Sequence, residues 1–274
     1  MHLIMAKYDD GPMRLSNHYH DCHQLLYVAG GEIEAVVGAE RYCVRAGELF
    51  ILSRFEEHAI MATKGDYRRY VLQISPDGAQ NSEEIALLSS VLINRSAQFC
   101  RVVPLGEHTK AFEARLSAMA EEYRKQAPLC REMLDLSLSA LLIELYRIRP
   151  TLFWTEGGRN AELVRRLQRR MEEDCGAEYS LAALAAEYHI SSSHLAHSFK
   201  EITGYAPIDY LIHCRISTAK RALATTDRPI CEIVELCGFG DDSNFCRKFK
   251  QITGVTPGAF RNRYRHTHAT LSDV

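Results

Sequence analysis

Long apolar runs are missing from this 274-residue chain. None approaches the ~20 residues that a membrane-spanning helix needs, and no charged N-terminal segment leads into an apolar stretch. A membrane partner is therefore not expected, and the cytoplasm is the expected compartment. Excess charge of either sign is missing too, since 33 Lys+Arg meet 35 Asp+Glu for a formal net charge of −2. Residues 156–274 hold 16 Lys+Arg against 15 Asp+Glu, so any nucleic-acid partner has to be argued from local placement of basic groups. Close CxxC pairs are absent among nine cysteines scattered from Cys22 to Cys246, which argues against a zinc ribbon, a thioredoxin-type site and a disulfide framework. Most of these cysteines are expected to be small buried hydrophobes in a reducing compartment. With 16 Gly and 8 Pro, collagen-like and low-complexity readings fall away, and the length suits one large or two medium domains.

What is present changes character along the chain. Gln24–Val28, Glu32–Val37, Tyr42–Val44, Leu49–Leu52 and Arg69–Ile74 are short β-branched, aromatic or aliphatic runs separated by Gly30-Gly31, Gly38 and Gly47. Strands at that spacing predict a small antiparallel barrel or sandwich. After Pro76-Asp77-Gly78 the period changes, and from about Gly106 Phe112, Leu116, Met119 and Tyr123 fall at helical spacing. A second helix, Glu132 to Arg147, carries too many leucines for one narrow stripe. It is expected to be buried on two sides, either as a core helix on the barrel or as a helix shared with a second subunit. Pro150 and Gly157-Gly158, with Arg159 and Asn160, form the best linker, and a helix begins near Ala161. From there to about Tyr264 all signals are helical, with Ser180, Asp227 and Thr256 as N-caps.

An internal duplication stands out in this second half. Phe199-Lys200-Glu201-Ile202-Thr203-Gly204-Tyr205-Ala206-Pro207 is echoed fifty residues later by Phe249-Lys250-Gln251-Ile252-Thr253-Gly254-Val255-Thr256-Pro257. The same offset aligns Leu184 with Val234, Ser191 with Asp241 and Leu195 with Phe245, so each copy reads as helix, tight turn, helix. At ~100° per residue Leu195, Phe199 and Ile202 face inward, as do Phe245, Phe249 and Ile252. The opposite faces are then Ser193, Ala196, His197 and Lys200 in one copy, and Ser243, Cys246, Arg247 and Lys250 in the other. Ser191 and Asp241 cap these helices, whose free backbone amides suit a phosphate. Small polar faces with one long donor fit the ~12 Å major groove of DNA. Ile208 to Thr225 reads as one long helix, a rod of ~27 Å able to hold two readers on neighbouring groove segments.

From about Ala161 to Arg265 the chain resembles the DNA-binding domain of the AraC/XylS family of bacterial transcription regulators. The matching residues are Ile190-Ser191, Leu195, Phe199-Lys200, Thr203-Gly204, Pro207, Tyr210, Arg215, Ala219, Ile233, Gly238-Phe239, Phe245, Arg247, Phe249-Lys250, Gly254, Pro257 and Tyr264. The resemblance implies a seven-helix unit over residues 161–266 with two recognition helices, binding double-stranded operator DNA. Carried over by position, the base-facing residues are Ser193, Ala196 and His197 in the first helix, and Asp242, Ser243, Cys246 and Arg247 in the second. Arg247 has the strongest chemistry, because a guanidinium bridges guanine O6 and N7. Asp242 repels phosphate, so it must accept from cytosine N4, cap the helix or face away, and capping is favoured. Phosphate contacts are expected from Lys200, Arg215, Lys220, Arg221, Lys250 and Arg263.

Residues 1–150 carry a second resemblance. His18-Tyr19-His20-Asp21-Cys22-His23-Gln24, then Gly31, Gly47 and His58, are similar to the two short motifs of the cupin barrel, in which histidines and a glutamate ligate a metal. Gln24 stands in place of the carboxylate, and Ser53 and Phe55 replace the usual proline and glycine. Three readings stay open: His18, His20 and His58 hold Zn²⁺ or Fe²⁺; His18, His20, Gln24 and His58 line a small-molecule pocket; or they are core groups bonded to backbone. Glu32, Glu34, Arg41 and Arg45 offer a charged wall or simply a solvated edge. The fold class expected is α+β in two domains, a cupin-like antiparallel barrel with flanking helices and an all-α domain with two helix-turn-helix units. The function expected is a DNA-binding regulator, an activator by the family's habit, controlled by a small-molecule effector and requiring no cofactor. The helices between Glu107 and Arg147 make it a homodimer, with RNA polymerase as a further partner. The alternatives are a metal-sensing regulator and a cupin metalloenzyme.

Overall fold

Strand β3 (His23–Val37) runs unbroken through Gly30-Gly31, where the sequence reading places a gap between two strands. The glycines produce a bend instead. Gly31 has φ +76°, and a Cβ there would lie 2.7 Å from the Lys64 carbonyl oxygen on the neighbouring strand β6 (His58–Ser75). Gly65 on β6, with φ +70°, sits against the Gly31 Cα, so two glycines let two long strands fold over together. The register shifts between Val28 and Ile33 mark the same place.

Bending splits the seven-stranded antiparallel sheet into two layers. In one layer the first half of β3 pairs with β5 (Glu48–Leu52) and with the end of β6, which also pairs β1 (His2–Asp9), while β7 (Val102–Pro104) adds to β5. In the other the second half of β3 pairs with β4 (Glu40–Arg45) and the start of β6, which also carries β2 (Arg14–His18). Alternate residues therefore face opposite ways. Leu26, Val28, Ile33, Ala35, Val37, Val44, Phe50, Leu52 and Ile60 form the barrel interior. Leu25, Tyr27, Leu49, Ile51, Leu72 and Ile74 face outward and bury against helices.

Those helices are α1 (Glu83–Ile93), α2 (Thr109–Lys125) and α3 (Cys130–Ile148). Phe112, Leu116 and Met119 of α2, with Leu134, Leu138, Leu141, Leu142 and Leu145 of α3, join the outer core. Asp135 of α3 accepts from the Leu3 amide at 2.8 Å and pairs with His2, tying α3 to β1. A second stripe of α3 stays exposed: Met133, Leu136 (68% exposed) and Ile143, preceded by Leu129. Pro150 lies in a short 3₁₀ turn, Pro150–Leu152, rather than in a linker.

The computed structural model describes residues 1–11, 14–18, 20–75, 83–93, 99–153 and 159–269, in two compact units, Met1–Glu156 and Gly157–Val274. The expected turn at Pro76-Asp77-Gly78, Tyr19 of the histidine motif and the Gly157-Gly158 linker lie outside the described residues. Among these residues no helix is long and apolar enough to cross a membrane.

Among the described residues the second unit holds seven helices: α4 (Arg159–Glu173), α5 (Leu181–Glu187), α6 (Ser192–Thr203), α7 (Pro207–Thr225), α8 (Ile230–Leu236), α9 (Asp242–Thr253) and α10 (Pro257–Ala269). Helix α4 starts at Arg159, two residues before the expected Ala161. Leu195, Phe199 and Ile202 are buried as the periodicity requires; Phe245 and Phe249 are fully buried in the second copy, with Ile252 packed at that core's margin. Ser180 and Ser191 cap α5 and α6, accepting from Ala183 and His194 amides, and Thr256 Oγ1 accepts from Ala259 at the start of α10. Asp227 does not cap α8. Pro229 holds that position without a side-chain bond, because its ring presets the extended backbone that leads into the helix. Of the nine cysteines only Cys22, Cys175, Cys214 and Cys237 are buried, while Cys43, Cys100, Cys231 and Cys246 are exposed, against the expectation that most are buried.

Candidate nucleic-acid interface and effector site

The two helix-turn-helix copies are built with the same bonds. In the first, Ser191 Oγ accepts from the His194 amide at 3.1 Å, and in the second Asp241 Oδ1 accepts from Asn244 at 2.7 Å. At the other end Gly204 and Gly254 take φ +82° and +76° and donate to Lys200 and Lys250 carbonyls. Thr203 Oγ1 donates to the Phe199 carbonyl at 2.7 Å and accepts from the Tyr205 amide at 3.1 Å; Thr253 repeats this with Phe249 at 2.8 Å and Val255 at 3.4 Å. Each of the two helices thus has its exit fixed by a threonine, buried in the first copy and half-buried in the second.

The turn before the readers corrects the alignment. Ile190 donates to Ala185 and His189 to Ala186, matched by Phe239 to Val234 and Gly238 to Glu235. The offset before the turn is therefore forty-nine residues, pairing Leu184 with Ile233 rather than Val234, and one extra residue in the second turn restores fifty. Both Leu184-Ala185 and Ile233-Val234 are buried, so the apolar pattern by itself fits either register. The turn needs a left-handed residue: His189 takes φ +55° and Gly238 +71°.

Opposite the core, Ser193, His197 and Lys200 of α6 are exposed and Ala196 is half-buried. On α9 Asp242, Ser243, Cys246, Arg247 and Lys250 are all exposed. Asp241 holds the cap, so Asp242 stands in the first turn beyond it, not in the capping place expected of it. Arg247 donates to Asn244 Oδ1 at 2.9 Å, a contact within its own helix that holds the guanidinium at the surface. Lys220 is half-buried on α7, and Arg221 and Arg263 are exposed. Arg215 corrects the phosphate set. Its Nε donates to the Cys175 carbonyl and its Nη2 to Ala177, each at 2.8 Å, while the guanidinium lies 5.7 Å from the Phe239 ring centroid. That charge satisfies the carbonyls that follow α4, and burial lowers its pKa.

In the barrel three imidazoles converge. His18 pairs in register with His58 across β2 and β6, and the ring centroids of His18, His20 and His58 lie 4.4–5.3 Å apart. His58 is 1% exposed; its Nδ1 donates to the Glu56 carbonyl at 2.8 Å, and its Nε2 has no hydrogen-bond partner among the described residues. Burial, then the neighbouring His18 and Arg101, push its pKa down to about 3. Gln24 faces the same interior from β3, being in phase with Leu26 and Val28, and its Oε1 is likewise buried without a partner, as is Ser53 Oγ.

The loop that delivers His58 is held by several bonds. Arg101 donates twice to Glu56, at 2.6 and 2.7 Å, with both side chains buried, and Glu56 also accepts the Ser53 amide. Phe55, in the place where the resemblance has glycine, keeps a glycine-like φ of +67°. Its amide donates to the His20 carbonyl at 2.9 Å, and the Arg54 guanidinium lies 4.4 Å from its ring centroid. Arg54 also pairs with Asp21, and its amide donates to His23 Nδ1. Nothing in the periodicity announces Glu56 and Arg101, which lie 45 residues apart. The supposed charged wall pairs internally at the surface: Arg41 with Glu34, and Arg45 and Lys64 with Glu32.

A duplicated helix-turn-helix unit with exposed polar faces, preceded in the sequence by a barrel with buried, unsatisfied polar groups, defines a DNA-binding regulator with a ligand-binding domain. Residues 6–145 match the family model described as an AraC-like ligand binding domain, and residues 184–263 match that of a helix-turn-helix domain. The chain is 26% identical over 247 residues to the transcriptional activator RhaS of Pectobacterium atrosepticum, covering 90% of this chain and 87% of that one. It is 25% identical over 262 residues to RhaR of Pectobacterium carotovorum, covering 90% and 86%. Among solved structures, ToxT of Vibrio cholerae O395 shares the fold at 15% identity and TM-score 0.59, over 95% of this chain and 98% of that one. The chain belongs to the AraC family of transcription regulators.

Proposed function

We propose that this regulator is an activator whose operator contacts are made by α6 and α9. Ser193, Ala196, His197, Asp242, Ser243, Cys246 and Arg247 meet base edges, and Lys200, Lys220, Arg221, Lys250 and Arg263 meet phosphates. The observation that carries this reading is the repeated bond set, which holds two helices by the same caps and exits while their outer faces carry small polar side chains. The relatives RhaS and RhaR are described as transcriptional activators, which supports activation and RNA polymerase as a partner. DNA as the target makes the cytoplasm the site of action, and no catalytic step enters the reading.

Residues 1–150 serve as sensor and dimerisation domain, and residues 161–266 bind DNA. The effector is an organic small molecule taken up in the barrel interior beside His18, His20, Gln24 and His58, where the orphaned Gln24 Oε1 awaits a hydrogen-bond donor. It acts by favouring one arrangement of the two units over another, since equal affinity for both would shift nothing. The exposed Met133, Leu136 and Ile143 stripe of α3 is taken by the same helix of a second copy, a spacing that suits helix-on-helix packing.

Genome-wide mapping of bound sites with the full chain, followed by footprinting, tests this reading. Two protected major-groove segments about one helical turn apart on one duplex face are expected. Absence of specific sites, or protection of a single segment, overturns it. Sedimentation of Leu136→Glu against the parent chain checks the dimer: a monomer is expected, and an unchanged dimer rejects the α3 interface.

A further inference from the structure

We propose that His18, His20 and His58 form a three-imidazole site for one divalent transition-metal ion, Zn²⁺ by its ligand chemistry, at the end of the barrel interior. The ligating nitrogens of the three side chains all lie within 4.8 Å of one another. Zinc bound at ~2.0–2.1 Å sets nitrogens about 3.3 Å apart in a tetrahedron, so side-chain rotations of roughly an ångström complete the site. The inference stands apart from the DNA-binding reading, because all three residues lie in the first unit.

The tautomer of His58 is fixed for the task. A carbonyl oxygen only accepts, so the 2.8 Å contact with Glu56 puts the proton on Nδ1 and leaves the Nε2 lone pair directed elsewhere. A backbone carbonyl behind the distal ring nitrogen is the usual support of a metal-bound histidine. The buried Nε2 finds no hydrogen-bond partner among the described residues, an omission that a metal ion removes. The two ligand-bearing segments are already joined, since the Phe55 amide donates to the His20 carbonyl and Arg54 pairs with Asp21. The Glu56–Arg101 pair then holds the carbonyl that orients His58.

The donor set also says what completes the coordination. Imidazoles are neutral, and Gln24, on the facing layer, adds no charge. The ion therefore keeps both its charges in an interior with no carboxylate of its own at that position, and the fourth ligand favoured is an anionic oxygen, hydroxide or a carboxylate. Neutral nitrogen donors without thiolate suit Zn²⁺ and its stand-in Co²⁺.

The test uses the full chain, stripped with chelator and titrated with Zn²⁺ and separately with Co²⁺. One ion per chain is expected by elemental analysis after gel filtration. The Co²⁺ form should show ligand-field bands without thiolate charge-transfer absorption. The His18→Gln/His20→Gln double variant, which alters half-buried positions, should lose that equivalent while keeping the parent circular dichroism. His58→Gln should lose it too, and the exposed control His108→Gln should keep it. No stoichiometric ion, an ion retained by the double variant, or thiolate bands that point to the cysteines would each overturn the proposal. Operator binding measured alongside separates its failure from failure of the regulator reading.

Discussion

The threonine hydroxyls of the helical unit and the buried charges of the barrel find their partners in opposite ways. In the helical unit a threonine hydroxyl bonds within its own turn: buried Thr203 and half-buried Thr253 reach carbonyls four residues back and amides two residues on. In the barrel, buried groups find partners far along the chain, Glu56 with Arg101 at 45 residues and the Arg54 amide with His23 at 31. Local satisfaction lets a motif be copied whole, as the second reader shows. Long-range satisfaction makes the barrel one network, in which loss of a single member leaves a buried charge or lone pair exposed to no solvent.

The sharpest way to break that contrast is to remove Arg101. Arg101→Ala strands a buried carboxylate on Glu56 and should cost about 3–5 kcal/mol of barrel stability, whereas Arg170→Ala, which removes an exposed partner of Glu187, should cost no more than ~1 kcal/mol. Denaturant unfolding of both variants checks this, and equal midpoints would dissolve the distinction. Acid should act on the same network. Fully buried His23 has its pKa pushed down to about 3, chiefly by burial and then by Arg54, against a backbone bond with Leu92. The unfolded chain binds that proton near pH 6.5, so stability is whole above 6.5 and falls by roughly 1.4 kcal/mol per pH unit as pH drops towards 3. His58 adds to the loss in the same window. Unfolding midpoints of the barrel in the presence of chelator should therefore decline steadily below pH 6.5, and a flat profile down to pH 4.5 would show that His23 is not held neutral.

The same contrast explains what could be read in the sequence. Caps, helical periodicity and the Thr-Gly exit are local signals, so α5, α6, α7, α9 and the outward faces of α6 and α9 were legible from residue order. The one-residue slip arose because two adjacent buried positions satisfy either alignment. Arg215 was misplaced because a charge on a helix reads the same whether its partner is phosphate or a carbonyl forty residues away. In the barrel, β1 was missed because the bulge between Leu3 and Met5 interrupts its alternation. Helix α1 hides in an apolar run, Ile85 to Ile93, broken only by Ser89 and Ser90. The histidine cluster was nameable from its motif, but the loop that orients it was not, since Glu56, Phe55 and Arg101 have no shared period.

Copying within the helical unit was not perfect, and the turn shows where it matters. Gly238 has φ +71°, and a Cβ there would meet the Gly176 carbonyl oxygen at 2.3 Å. Gly238→Ala combines left-handed strain with a backbone clash and should destabilise by about 2–3 kcal/mol. His189, at φ +55° and exposed in the first copy, carries only the strain, so His189→Gly should be neutral or stabilise by up to ~1 kcal/mol. Thermal unfolding of the two variants reads the difference. If Gly238→Ala were harmless, the second turn would be no tighter than the first.

The smallest effects are expected where the copies differ in chemistry and not in packing. Arg247→Ala should weaken binding to the specific operator by ~1–3 kcal/mol at fixed salt and relax the preference at one base pair. His197→Ala, which removes a single-contact imidazole at the matching place on α6, should cost less than that. Lys250→Ala should weaken specific and random duplexes alike and reduce the slope of log affinity against log salt by about one. Filter-binding titrations of the three variants on operator and random DNA, each at several salt concentrations, separate these roles. If Arg247→Ala lost the same energy on both duplexes, its guanidinium would be a phosphate contact and not a reader of that base pair.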